Sequence, residues 1–109
     1  MNTIYNKFNS ISRKNGKPTM GKAYTSWKHD IKKKYGITDN EYHLLNESQN
    51  YVCAICKKSD NRGARLAIDH CHETGKIRGL LCRTCNVALG YLNDDITLLM
   101  SAINYLKKQ

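Results

Sequence analysis

At 109 residues, 40% hydrophobic and 25% charged, the chain supports one small domain with a thin core, the kind often stapled by disulfides or a metal ion. Eighteen Lys and Arg against nine Asp and Glu give a net charge of +9, which points to a polyanionic partner, most simply nucleic acid, rather than to a membrane surface. The opening MNTIYNKFNS holds no apolar run of the signal-peptide kind and no stretch approaches ~18 continuous apolar residues, so the expectation is a cytoplasmic protein with reduced thiols.

Residues 1–21, with Asn15-Gly16 and Lys17-Pro18 turn signals and few periodic apolar positions, read as a flexible basic arm. Residues 22–109 read as one domain, with a core over 50–93 and a final helix over 94–107. The charge is unevenly placed: residues 1–36 hold nine basic side chains against Asp30 alone, and the rest of the chain holds nine against eight. From Lys22 to Tyr35, the side chains Tyr24, Trp27, Ile31 and Tyr35 recur at helical spacing. Lys28, Lys32 and Lys33 fall on the other face, where they could contact phosphates; the plainer reading is a solvated basic surface. Gly36 ends that helix. Thr38 and Glu41 form a capping-box pair that opens a second helix through about Ser48, with Tyr42, Leu44 and Leu45 as inward candidates.

Cys53 and Cys56 make a first knuckle, and Asp60 to Gly63 is loop. Leu66–Ile68 and Ile77–Leu81 are strand candidates joined across Glu73-Thr74-Gly75-Lys76. Cys82 and Cys85 make a second knuckle leading into a short helix from Asn86 to about Tyr91. After Asn93 or Asp94 as cap, Ile96, Leu99, Met100, Ile103 and Leu106 mark an amphipathic last helix.

In each Cys-x-x-Cys pair the two intervening residues let the chain turn back and aim both sulfurs at one point. Two pairs complete a tetrahedral sulfur shell that suits Zn²⁺, closed and therefore structural. Two disulfides or a redox Cys-x-x-Cys are the competing readings, and neither fits a chain with no secretory signal and no thioredoxin-like βαβ pattern. Cys71 is left over.

A second cluster surrounds the hairpin. Asp69, His70 and His72 lie where the first strand ends, and Asn86 directly follows the last knuckle cysteine. A carboxylate and an amide oxygen suit Mg²⁺ or Mn²⁺, and a neutral imidazole can take a proton from water near pH 7. Those parts together are what phosphodiester hydrolysis needs. The plainer reading is that Asp-His is a common dipeptide and that Asn at a helix start is a cap. Neighbours in a regular strand also face opposite ways, so Asp69 and His70 converge only across a bend or bulge. His72 is the reserve candidate for base, ligand or phosphate donor. Lys76, Arg78 and Arg83 are candidate phosphate contacts, with simple solvation as the alternative.

The run AIDHCHETGKIRGLLCRTCNVALGYLNDD, preceded by YGITDNEYHLLNESQNYVCAIC, resembles the phage recombination endonuclease VII family within the wider HNH, or ββα-metal, nucleases. The resemblance covers roughly Tyr35 to Leu106. It implies a small α+β fold, with a zinc-stapled ββα-metal core and flanking helices, in a phage-encoded DNA endonuclease acting in the host cytoplasm. It implies that Cys53, Cys56, Cys82 and Cys85 hold zinc, that Asp69 and Asn86 bind the catalytic Mg²⁺ or Mn²⁺, and that His70 is the general base. Many relatives carry an acid where this chain has Cys71. Holliday-junction specificity is not carried over, because it belongs to longer members. The rival reading is a non-catalytic zinc module that binds nucleic acid, which leaves Asp69, His70 and Asn86 without a role. A homodimer is a further expectation, since the apolar helices at either end suit a partner copy as well as an intramolecular core.

Overall fold

A computed structural model of the chain describes residues 21–60 and 62–108, together with an antiparallel backbone pairing of β1 (Arg13–Lys14) and β2 (Lys17–Pro18). The expected arm over 1–21 otherwise lies, up to residue 20, outside the described residues. Helix α1 (Lys22–Tyr35) buries Tyr24 and Ile31 and half-buries Trp27 and Tyr35, as its spacing predicts. It stops at Gly36, whose φ of 74° is the left-handed conformation that glycine adopts without steric cost. Helix α2 (Asp39–Ser48) starts on the predicted capping box: Glu41 N–H donates to the Thr38 hydroxyl at 3.0 Å, and Thr38 N–H donates to the Glu41 carboxylate at 2.8 Å. Tyr42 is buried and Leu45 half-buried, but Leu44 is 58% exposed. Leu44 lies two residues past Tyr42, about 200° around the helix, so both cannot face one core.

Strand β3 (Ala67–His70) pairs antiparallel with β4 (Ile77–Leu81). The first strand lies later than the expected 66–68. Leu66 instead sits just ahead of it, buried, with its carbonyl accepting the Tyr42 hydroxyl at 2.6 Å. The partners are Ala67–Leu81, Ile68–Leu80 and Asp69–Gly79, and then the register slips so that His70 meets Ile77. Arg78 is thus the extra residue of a β-bulge. The hairpin closes through Cys71 N–H to Lys76 O and Gly75 N–H to Cys71 O, with Gly75 at φ 77°.

Helix α3 (Arg83–Tyr91) begins three residues earlier than expected, inside the second knuckle, because the Cys82 sulfur itself acts as the N-cap and accepts the Cys85 N–H. The last helix, α4 (Ile96–Leu106), is capped by Asp95, whose carboxylate accepts the Leu98 N–H at 3.1 Å. Neither expected cap fits, because Asn93 and Asp94 both take positive φ, 56° and 54°, and form the turn before it. Helix α4 buries none of its apolar residues in the core; Ile96, Met100 and Leu106 are more than half exposed. No helix among the described residues is long and apolar enough to cross a membrane.

The core gathers Ile31, Ile37, Tyr42, Leu66, Ile68, Leu80 and Leu81 around buried Cys53 and Cys82. Gln49 ties α2 to this core. Its side-chain oxygen accepts the Leu80 N–H at 2.8 Å, and its amide donates to the Leu80 and Val52 carbonyls, both at 2.9 Å. A Cβ on Gly79 would meet that oxygen at 3.2 Å, so the close approach relies on glycine. Gln49→Ala should destabilise the protein by about 1–3 kcal/mol, the cost of leaving part-buried peptide groups unpaired. Urea unfolding of the zinc-loaded chain should show this as a lower midpoint at unchanged slope.

Candidate metal and active site

The four knuckle cysteines converge, with all their sulfurs within 4.8 Å of one another and Cys56 and Cys82 Sγ 3.8 Å apart. The first knuckle is held by Cys53 N–H to Lys58 O, Lys57 N–H to Cys53 O with Lys57 at φ 63°, and Ala54 N–H to Leu80 O on β4. Burial alone would raise the Cys53 thiol, but N–H groups from Cys56, Cys82 and Ile55 outweigh it and hold that thiol near 6. Burial and the surrounding Cys82, Cys53 and Cys56 sulfurs push Cys85 up to about 12. One thiolate is thus favoured and further ones resist forming beside it, a conflict that a divalent cation at the centre removes. Four soft donors in a closed cage fit zinc, and they leave no position for a substrate. The expected grouping of Cys53, Cys56, Cys82 and Cys85 is present, and Cys71 lies apart in the hairpin loop. Its thiol is held below the ordinary value by the Thr74 hydroxyl and by the Thr74 and Glu73 backbone.

Asp60 was readable only as a loop residue. It is 4% exposed, and its carboxylate accepts Arg62 N–H at 2.8 Å and Arg83 N–H at 3.1 Å. Burial works against the carboxylate, but these donors and the Arg62 guanidinium win and hold its pKa below the ordinary value. It thereby caps the start of α3 beside Cys82. The Asp-x-x-Gly turn pattern is the one signal that could have marked it.

At the bulge, Arg78 lies over Asp69. Its Nε donates to Oδ2 at 2.6 Å and its Nη2 to Oδ1 at 2.9 Å, and Nη2 also reaches Asp94 Oδ2 at 3.2 Å. This pairing, first with Asp69 and then with Asp94, raises the Arg78 pKa still further above physiological pH. His72 Nε2 is 3.7 Å from the same Asp94 oxygen. The His72 ring is 4.9 Å from that of His70, which is 5.3 Å from Tyr35 of α1. Asp69 and His70, adjacent in sequence, are therefore also joined through space by way of Arg78, Asp94 and His72. The register slips between Asp69 and His70, with the extra residue, Arg78, on the opposite strand.

An open cleft of about 630 Å³ lies alongside, lined by His72, Glu73, Arg78, Gly90, Asn93 and Asp94 among others. Asn86 is exposed on α3, one turn before Gly90 and on the same face, and no hydrogen bond among the described residues engages its side chain. Among the described residues no second group of three or more His, Cys, Asp or Glu donors closes as the cysteines do. Asp69 on β3 and Asn86 on α3, the residues expected to hold a second ion, do not themselves line the cleft. Lys76 and Arg83 are exposed, as are Lys28, Lys32 and Lys33 on α1. Asp94, Tyr35 and Asp60 are the neighbours that sequence reasoning missed.

The sequence model of the recombination endonuclease VII family matches residues 28–108. The chain is similar to the Gene 59 protein of Mycobacterium phage D29, 44% identical over 88 residues, covering 80% of this chain and 53% of that protein. It is also similar to the Gene 59 protein of Mycobacterium phage L5, 43% identical over 86 residues, covering 78% and 52%. The chain spans about half the length of these curated relatives. No solved structure matches it.

Two outcomes test the sulfur cage. Stripping the protein with a strong chelator at neutral pH should abolish the cooperative unfolding transition seen by near-UV circular dichroism, and added Zn²⁺ should restore it. Asp60→Asn should weaken Zn²⁺ retention by about tenfold in competition with a chromophoric chelator, because a support of the second knuckle is loosened.

Proposed function

The chain belongs to the recombination endonuclease VII family, and on that premise we propose that it is a metal-dependent DNA endonuclease with an HNH-type, ββα-metal site. The observation that carries the reading is the bulge after Asp69. Around it, contacts run from Asp69 through Arg78 and Asp94 to His72 and His70, beside an open cleft that His72, Arg78 and Asp94 line, and Asn86 is exposed on the following helix. In this reading Cys53, Cys56, Cys82 and Cys85 hold a structural zinc that fixes both ends of the segment carrying these groups.

His70 is the general base: its neutral imidazole takes a proton from a water aligned opposite the leaving 3′ oxygen. Tyr35 and His72 flank that ring and restrict its orientation. Asp69 and Asn86 supply the oxygen ligands for one Mg²⁺ or Mn²⁺. When bound, that ion would neutralise charge gathering on the phosphate and on the departing oxygen. Arg78 and Lys76 on the hairpin are the first candidates to contact a DNA backbone, and the exposed Lys28, Lys32 and Lys33 of α1 are further ones. Products carry 5′-phosphate and 3′-hydroxyl ends. The phage relatives support action inside a host cell.

Incubation of the zinc-loaded protein with supercoiled plasmid and Mg²⁺ or Mn²⁺ should give nicked and linear products that EDTA suppresses. His70→Ala should lower the rate by about 10²–10⁴-fold while zinc content and melting temperature hold. Asp69→Asn should act similarly. Full activity in His70→Ala would move the base to His72, and salt-sensitive DNA binding with no cleavage under any metal would favour the non-catalytic zinc module.

A further inference from the structure

Arg78 does more than sit near the proposed metal ligand. It occupies both oxygens of that ligand with a two-pronged fork, at 2.6 and 2.9 Å. A guanidinium held this way is matched in shape as well as charge to a carboxylate. A divalent ion approaching Asp69 meets a cation already seated there, and the two cannot share the same lone pairs.

Two further features give the guanidinium somewhere to go. The Asp94 carboxylate already accepts from Nη2 at 3.2 Å, so leaving Asp69 does not strip Arg78 of its last anionic partner. Arg78 and Asp94 also both line the open cleft, which has volume for the displaced side chain. As the extra residue of the bulge, Arg78 has no cross-strand partner in the register. Its side chain, 39% exposed, is the most accessible of the three, against 13% for Asp69 and 23% for Asp94.

We infer that Arg78 is a built-in competitor for the Asp69 carboxylate, displaced onto Asp94 and into the cleft when a divalent ion takes Asp69. The inference rests on the reading of Asp69 as a cation ligand given above. It makes Arg78 a positioning residue that sets how readily the ion loads. A DNA phosphate entering the cleft would draw the guanidinium away and favour loading, a reciprocal coupling between substrate and ion.

Mg²⁺ titration of the zinc-loaded full chain by calorimetry, without DNA, tests this in wild type, Arg78→Gln and Arg78→Lys. Arg78→Gln should bind Mg²⁺ about three- to tenfold more tightly than wild type, the span between an exposed and a charge-assisted pair. Arg78→Lys keeps the charge but loses the fork and should fall between. By NMR, the Arg78 Nε–H signal should be protected from exchange before Mg²⁺ is added and lose that protection at saturation. If Mg²⁺ binding depends on Asp69 but Arg78→Gln binds equally or more weakly, the competition is overturned and the cation site stands. A tighter Arg78→Gln with Arg78→Lys equal to wild type would reduce the effect to net charge, which also overturns it. Mg²⁺ binding that Asp69→Asn leaves unchanged in every variant would remove the cation site and the competition together.

Discussion

Four sulfurs confined within 4.8 Å impose the constraint on which the rest of the structure depends. They come from two turns far apart in sequence, and the hairpin between them is too small to hold its shape alone. A second thiolate so close to the first is unfavourable without a cation, since the neighbouring sulfurs push the Cys85 thiol up while Cys53 is held low. With one, the same crowding becomes a clamp. The clamp acts at a distance because Cys82 caps α3 and Asn86 follows Cys85 directly, so every residue on the first turn of that helix inherits its position from the sulfur cage. Buried Cys53 and Cys82 are also part of the apolar core, so metal binding and core packing cannot be separated.

The hairpin end shows a second economy. Asp69 and Asp94 share one guanidinium, and Asp94 also lies 3.7 Å from His72 Nε2, so one cation serves two carboxylates. The shared cation, Arg78, is itself the extra residue of the bulge, opposite the step from Asp69 to His70. One slipped register thus joins the strand geometry to the chemistry proposed for it.

Much of this was legible in the chain. The helix over 22–35 follows from its aromatic spacing, its end from Gly36, and the start of α2 from the Thr38–Glu41 pair; all three are local interactions. The paired knuckles are likewise readable, because the spacing within each leaves the sulfurs little choice. What was not legible depends on tertiary partners. Asp60 and Gln49 sit in segments with no periodic signal, and their roles emerge only when Arg83 and Leu80 arrive from elsewhere in the chain. Asp94 was read as a cap because Asn and Asp before an apolar run are good caps, but the positive φ at both Asn93 and Asp94 passes that task to Asp95. The last helix has the amphipathic pattern of a core element without the burial, since pattern reports an apolar face and not what covers it.

The position of Gln49 has one more consequence. A two-strand sheet has two bare rims, and each could recruit a strand from another molecule and begin ordered aggregation. At Leu80 the outer rim of β4 is already satisfied, by the Gln49 amide on both peptide groups and by Ala54 N–H on the carbonyl. A side chain here takes the place of a third strand, at the residue where the ribbon is most apolar and most deeply enclosed. At that residue, one of the two rims is closed to a further strand.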